Sequence, residues 1–209
     1  MRRPADARRI ASTLLVACGA LMLVASAASV ARGAIARDAA RTRWAEGEAS
    51  RAVNSARATL AGGPAWATAT GAPVARLVIP RLRLDEVVVE GVGDDALRAG
   101  PGHMTGSAMP GERGNAVISA HRDRHFRTLG ELAVGDTVVT ESATGTVTWV
   151  VSRIRVVNAD APALHDSATP LLTLTTCWPI RYFGSAPDRL IAEARPVTDI
   201  ATRRGNRAA

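Results

Sequence analysis

A run of 22 residues without a charge, residues 10–31, constrains the fold more than any other feature of the sequence. At about 1.5 Å per residue in a helix, it spans the roughly 30 Å hydrocarbon core of a bilayer. Four arginines lie within the nine residues before it. The positive-inside rule then predicts a single-pass anchor in the cytoplasmic membrane, with residues 1–9 in the cytoplasm and the rest of the chain on the extracytoplasmic side.

Two other fates of this segment stay open. Residues 25–27 (Ala-Ser-Ala) fit a signal-peptidase site, and cleavage there would release the protein. Residues 15–18 resemble a lipoprotein processing box, although the residues after Cys18 stay apolar where a processed lipoprotein turns polar. All three interpretations export the remainder of the chain.

The net charge of +7 comes from the two ends of the chain. The net charge is +6 for residues 1–73 and +2 for residues 199–209. It is −1 for residues 74–198. A nucleic-acid-binding protein needs clustered positive charge on a structured face. The distribution therefore argues against a nucleic-acid partner.

The segment after the uncharged run has the composition of a stalk. Residues 32–61 are rich in Ala, Arg and Glu, which favours a helix. Residues 62–64 (Gly-Gly-Pro) end it, and residues 64–73 have the composition of a flexible linker. We assign residues 32–73 to a stalk and linker, residues 74–198 to a folded domain and residues 199–209 to a basic C-terminal tail.

The folded domain consists of short β-branched runs separated by Gly, Asp and Pro, a pattern typical of strands. Val147, Trp149 and Val151 alternate with their neighbours in the period of two that a half-buried strand shows. Helical potential is confined to short pieces around 94–99 and 126–132. Many short strands and few helices predict an all-β domain, either a sandwich or a closed barrel. The predicted strands are residues 76–79, 86–90, 116–120, 137–141, 146–157, 171–177 and 189–195.

Two predicted strand ends carry candidates for chemistry. Cys177 ends the apolar strand LLTLTTCWP and His121 ends the apolar run NAVISAH. Each has an ordinary alternative, since a free Cys is often a small core residue and a strand-end His is often a plain surface residue. A disulfide with Cys18 is implausible because Cys18 lies in the uncharged run. An exported Cys177 is then an unpaired, potentially reactive thiol.

The remaining polar candidates carry weaker signals. His103, His125 and His165 lie in loops or turns, and no two histidines show a convincing metal-ligand spacing with a carboxylate, so the sequence predicts no metal site. Arg189 starts the last predicted strand. Thr176 alternates with Cys177 and therefore faces the other side of its strand.

Taken together, the segments LVIPRL, GPGHMTGSAMPGERGNAVISAHRD, LLTLTTCWP and APDRLIAEA, in that order, resemble the sortase family. The family pattern T-L-x-T-C matches residues 173–177, and the family His, in a G-H-R-D-like stretch, corresponds to His121, with Ala120 in place of Gly. The family Arg beyond the Cys corresponds to Arg189. The resemblance covers about residues 74–198 and is strongest to the class D type, in which Tyr is common where this chain has Trp178.

The resemblance implies a closed eight-stranded β-barrel of the sortase type with short helices, behind an N-terminal transmembrane helix. It also implies a cysteine transpeptidase without a cofactor. Cys177 would attack a Leu-Pro-x-Thr-Gly-like C-terminal sorting signal of a secreted protein, and the acyl group would pass to an amine acceptor of the cell envelope. His121 would move the protons, Arg189 would stabilise the oxyanion, and Thr176 is a further candidate for substrate binding.

Two other functions remain as alternatives. The same residues would serve a cysteine protease that passes the acyl group to water. An exported β-barrel could also be a non-enzymatic binding module of the envelope, in which case Cys177→Ser would leave function intact. A peptidoglycan L,D-transpeptidase is disfavoured because the chain has no Ser-His-Gly-Cys stretch.

The charge distribution around residues 10–31 predicts the topology of the anchor. A reporter enzyme that works only outside the cytoplasm, fused after Ala209, should be active, because the arginines before the run hold the N-terminus inside. A cytoplasm-dependent reporter at the same position should be inactive. Activity of the second reporter and not the first would reverse the predicted orientation.

Overall fold

The computed structural model describes residues 4–54, 69–143, 145–163 and 165–197. The predicted basic tail, residues 199–209, lies outside the described residues, and so do residues 64–68 of the predicted linker. The described chain consists of one long helix followed by a closed β-barrel. The first strand of this barrel begins at Pro73, next to the predicted domain boundary at residue 74.

The first helix, α1, spans Pro4–Asn54 and includes the whole uncharged run. Its stretch Ile10–Gly47 is long and apolar enough to cross a membrane. The large apolar side chains of residues 10–30 are exposed, as expected for a helix whose surroundings are lipid. Residues 32–54 of the predicted stalk continue this helix without a break.

Eight strands close into a barrel in the order β1-β2-β3-β4-β7-β8-β6-β5, which confirms the predicted closed eight-stranded fold. All seven predicted strands are present. A two-residue strand, β3, escaped prediction because two residues show no periodicity. The strands are β1 (Pro73–Ile79), β2 (Leu84–Glu90), β3 (Gly102–His103), β4 (Asn115–Ser119), β5 (Thr137–Ser142), β6 (Gly145–Asn158), β7 (Leu171–Trp178) and β8 (Asp188–Pro196).

Helices in the barrel domain are few and short, as predicted. The helix α2 spans Asp94–Ala99 and joins β2 to β3. Around residues 126–132 only a 3₁₀ turn, Leu129–Glu131, forms. Its central Gly130 disfavours a longer helix and lets the ring of Trp178 approach closely, since a Cβ there would lie 3.0 Å from Cζ3 of that ring.

The barrel interior is filled mainly by Val, Leu, Ile and Ala side chains. Trp149 is wholly buried, and its indole N–H donates to Thr140 Oγ1 at 2.8 Å, so its polar group is satisfied. Trp149 and Val151 are buried and Val147 is half-buried, whereas Thr146 and Thr148 are exposed. The period-two pattern thus points one face of β6 into the core.

Two pairs of neighbouring strands are parallel, β2–β3 and β4–β7, and the other pairs are antiparallel. The pairing of β4 with β7 runs from Asn115 opposite Leu171 to Ser119 opposite Thr175. Parallel strands present their carboxyl ends at the same edge of a sheet. The ends of β4 and β7 therefore meet at one rim of the barrel.

The C-terminal half of α1 packs against the barrel. Ala40 and Trp44 are buried in a cluster with Val87 and Val89 of β2 and Ala96 of α2. Burial of a large aromatic side chain contributes on the order of 2–3 kcal/mol. The helix is therefore held to the domain by an apolar contact as well as by the chain that connects them.

Candidate functional site

Cys177 is the exposed residue at the end of a buried strand. Residues 171–176 of β7 are buried, whereas Cys177 reaches the surface just before the Trp178–Pro179 bond, which is cis. The ladder ends there, because Pro has no N–H to donate. This exposure removes the alternative of a buried core cysteine. The barrel wall carries an accessible thiol with a loop directly beyond it.

His121 follows the end of β4, at the rim of the barrel where β7 also ends. Ser119 is paired with Thr175, and the N–H of Ala120 donates to the carbonyl of Thr175 at 3.2 Å. The half-buried His121 comes directly after Ala120, and Cys177 comes two residues after Thr175. Both residues therefore lie at the same rim of the barrel, although they are distant in sequence.

Arg189 lies directly opposite Cys177 in the antiparallel pair β7–β8. Side chains of such a pair are on the same face, with Cβ atoms roughly 4.5–5.5 Å apart. The Nε–H of Arg189 donates to the carbonyl of Ala159 at 2.7 Å, which fixes one edge of the guanidinium. Arg181, by contrast, is exposed in the loop between the two strands.

Thr176 lies on the other face of β7, as its alternation with Cys177 predicts. Its side chain is buried, and its hydroxyl donates to the carbonyl of Ala120 at 2.7 Å. This bond ties β7 to the residue immediately before His121. The substrate-binding role of Thr176 stays a prediction. The contact that the structure shows for its side chain is with the backbone.

Arg122 connects the segment after β4 to the loop after β7. No pattern in the sequence had marked it. Its guanidinium donates to three carbonyls of the loop after β7: Pro179 at 3.3 Å, Tyr182 at 3.1 Å and Gly184 at 2.7 Å. It also lies 5.7 Å from the ring centroid of Tyr182, within cation–π range. The only available signal was its place directly after His121.

His103 is a structural residue in a buried network. Its Nδ1 lies 2.8 Å from Glu90 Oε2, and its Nε2 lies 2.9 Å from both the carbonyl of Ala108 and Ser107 Oγ. Thr105 Oγ1 donates to the other oxygen of Glu90 at 2.7 Å. Both ring nitrogens are therefore engaged in holding the loop after β3 against β2.

The contacts of the other two histidines are with residues other than Cys177. His125 is buried, with Nδ1 3.3 Å from Glu86 Oε1. His165 Nδ1 lies 3.5 Å from the side-chain amide of Asn115, at the start of β4. Across the described part of the chain, no group of three His, Cys, Asp or Glu side chains could hold a metal ion.

The chain is similar to one known family of proteins. A sequence model of the Sortase domain family matches residues 77–197. Sortase D of Bacillus subtilis (strain 168) is 36% identical over 133 residues, which cover 62% of this chain and 66% of that protein. The chain therefore aligns with slightly less than two thirds of that relative.

Solved structures show the same fold. The chain resembles the Clostridium perfringens Sortase D5 transpeptidase with a TM-score of 0.61 at 23% identity, over 80% of this chain and 99% of that one. It also resembles the catalytic domain of B. anthracis SrtD, with a TM-score of 0.54 at 34% identity, over 68% of this chain and 97% of that one. Sortase C-1 from Actinomyces oris matches with a TM-score of 0.55 at 29% identity, over 61% and 76% of the two chains.

The bonds of Arg122 predict how the loop after β7 responds to its loss. Arg122→Ala removes three hydrogen bonds and should lower the free energy of opening this loop by about 1.5 kcal/mol. Trypsin should then cut the Arg181–Tyr182 bond roughly tenfold faster, as followed by mass spectrometry of the intact chain. Arg127→Ala, in the same segment but making none of these bonds, should leave the rate unchanged. An unchanged rate in Arg122→Ala would contradict the role of this arginine.

Proposed function

The chain belongs to the sortase family, and from this premise we propose that it is a membrane-anchored cysteine transpeptidase of the class D type. It cleaves a Leu-Pro-x-Thr-Gly-like C-terminal sorting signal and joins the new acyl end to an amine of the cell envelope. The arrangement that supports this proposal is an exposed Cys177 at the end of β7, with His121 just beyond the end of the neighbouring β4 and Arg189 paired with Cys177 in β8.

The first half of the reaction releases the C-terminal part of the substrate. The thiolate of Cys177 attacks the scissile carbonyl carbon, forming a C–S bond. As the C–N bond breaks, the leaving amine takes a proton from the imidazolium of His121. A thiolate suits this step because it is a strong nucleophile at modest pKa, and His suits it because it exchanges protons near neutral pH.

The second half transfers the acyl group. An incoming amine gives a proton to the neutral imidazole of His121 and attacks the thioester carbon, and the C–S bond breaks to regenerate the thiolate. Both halves pass through a tetrahedral oxyanion. Arg189 is the proposed donor to that oxygen, because its charge is permanent and its backbone is held in the β7–β8 ladder opposite the thiol.

The membrane location is supported by α1. Its stretch Ile10–Gly47 could span a bilayer, and its large apolar side chains from Ile10 to Val30 are exposed. We assign the N-terminus to the cytoplasm and the barrel to the outer side. A secreted substrate that is itself held at the membrane would then meet the enzyme on the same surface.

The thioacyl intermediate provides the main test of the proposal. The full chain in detergent micelles, incubated with a sorting-signal peptide, should gain the mass of the acyl fragment, and Cys177→Ala should lose both the adduct and cleavage. Cys18→Ala is the matched control, because it removes the other cysteine of the chain and should keep full activity. A Cys177→Ala protein that still cleaves the peptide would refute the mechanism.

The fate of the acyl group separates transfer from hydrolysis in the same assay. With a primary amine added in excess, a transpeptidase yields the amide product at the expense of the free acid. A protease yields the free acid with or without the amine. The product ratio, read by mass spectrometry, therefore distinguishes the two enzyme classes.

The assignment of the oxyanion donor predicts an order of effects among arginines. Arg189→Ala should lower kcat by about 10²–10³-fold, the usual loss for one such donor. Arg189→Lys should rescue only partly, since Lys lacks the planar fork of donors. Arg181→Ala should have little effect, because Arg181 lies exposed in the loop and a mobile donor stabilises a transition state poorly. A larger loss in Arg181→Ala, with both proteins folded by circular dichroism, would show that the assignment is wrong.

A further inference from the structure

A cavity of about 550 Å³ lies between α1 and the barrel, away from Cys177. One wall is the face of α1 from Val30 to Arg41. The opposite wall is formed by residues 82–86, before and within β2, and by residues 123–128, which follow His121. Arg124 reaches across this space, because a Cβ added at Gly33 of α1 would lie 3.4 Å from its Nη1.

The lining of this cavity has an excess of positive charge. Its three carboxylates are Asp85, Glu86 and Asp123. Asp85 is already bound by Arg76 through two bonds of 2.8 and 2.7 Å, which hold its pKa below the ordinary value. The six arginines of the lining are Arg37, Arg41, Arg83, Arg98, Arg124 and Arg127.

The carboxylate of Glu86 also has charged or polar partners. It lies 3.6 Å from Arg41 and 3.3 Å from His125. Burial by itself would raise the pKa of Glu86, but His125, Arg37 and Arg41 hold it below the ordinary value. The carboxylate is therefore charged at neutral pH, and its charge is already shared among these neighbours. Arg98 pairs with Asp95, which lies outside the lining. The other lining arginines Arg83, Arg124 and Arg127 still outnumber the remaining carboxylate, Asp123.

One buried donor in the lining favours an anion. The buried Nε–H of Arg37 has no hydrogen-bond partner among the described residues. Buried donors are nearly always paired, so a site with an unpaired arginine donor and excess positive charge is suited to an acceptor-rich ligand.

The position of the cavity selects the class of anion. Its lining begins at Val30, at the end of the uncharged run, and continues one to three turns beyond it along α1. If the run spans the hydrocarbon core, these turns lie at the depth of the lipid headgroups. Phosphate diesters are the anions that phospholipids present at that depth, and arginine donors pair well with their oxygens.

We propose that this cavity binds the phosphodiester of an anionic glycerophospholipid. Arg37 and Arg124 contact the phosphate from the two walls, and Val30 and Leu82 contact the glycerol region. A zwitterionic lipid fits less well, because its ammonium would lie among arginines. The lipid bridges α1 and the segment after His121, and thereby fixes the orientation of the barrel on the membrane. The inference rests on α1 being the membrane anchor proposed above.

The test measures lipid binding directly and does not depend on catalysis. Native mass spectrometry of the full chain in detergent should show one dioctanoyl phosphatidylglycerol bound about tenfold more tightly than dioctanoyl phosphatidylcholine. Arg37→Gln and Arg124→Gln should each weaken phosphatidylglycerol binding about fivefold and leave phosphatidylcholine unchanged. Arg43→Gln is the matched control, since Arg43 is exposed on α1 and its Nε donates to Ala39 within the helix.

Several results would overturn the proposal. These are equal binding of the two lipids to the unmodified chain, unchanged binding in both variants, or displacement of the lipid by an equal concentration of inorganic phosphate, which would indicate a simple phosphate site. The lipid preference of the unmodified chain decides the question even if a variant fails to fold. The reporter fusions test the anchor separately, so a wrong topology and a wrong lipid site give different results.

Discussion

The parallel pairing of β4 with β7 is the constraint on which the rest of the site depends. It makes neighbours of residues 56 positions apart, such as Ser119 and Thr175, and brings the segment with His121 and the end of β7 with Cys177 to one rim. A parallel pair needs a long crossover, and here that crossover includes the β5–β6 hairpin, which also closes the barrel through β1. A slip of one residue in β7 would turn Cys177 into the core, because side chains alternate faces along a strand.

The side chains around the site are held largely by backbone carbonyls. Thr176 donates to one carbonyl before His121, Arg122 to three in the loop after β7, and Arg189 to that of Ala159. These acceptors belong to strand ends or loops, where the ladders have stopped and carbonyls need other partners. Each bond thus satisfies the backbone and also fixes a group near Cys177. Such a support keeps the proposed catalytic groups in place before a substrate arrives.

The long helix does more than connect the barrel to the uncharged segment. Ala40 and Trp44 pack on β2 and α2, and Arg41 lies 3.6 Å from Glu86. An apolar contact restricts how the barrel can rotate about the helix, whereas a surface ion pair alone would add little. The arginine-lined cavity lies along the same contact, next to the segment that begins at His121. The packing of α1 on the barrel is therefore connected to the proposed site through the few residues between His121 and the lining of the cavity.

The sequence by itself determined an all-β domain and most of its strands, and its residue pattern left a sandwich and a closed barrel open. The closed barrel and the roles of Cys177, His121 and Arg189 were implied by the resemblance to sortases. The strand signals are local: β-branched alternation, as around Trp149, and turn residues between the runs. The two-residue β3, the bonds of Arg122 and the docking of Trp44 were decided only by the tertiary structure. Every residue offers a carbonyl, so no sequence pattern marks the three that Arg122 binds. The partners of Trp44 are likewise ordinary Val and Ala residues, and only the closed barrel brings them together on one face.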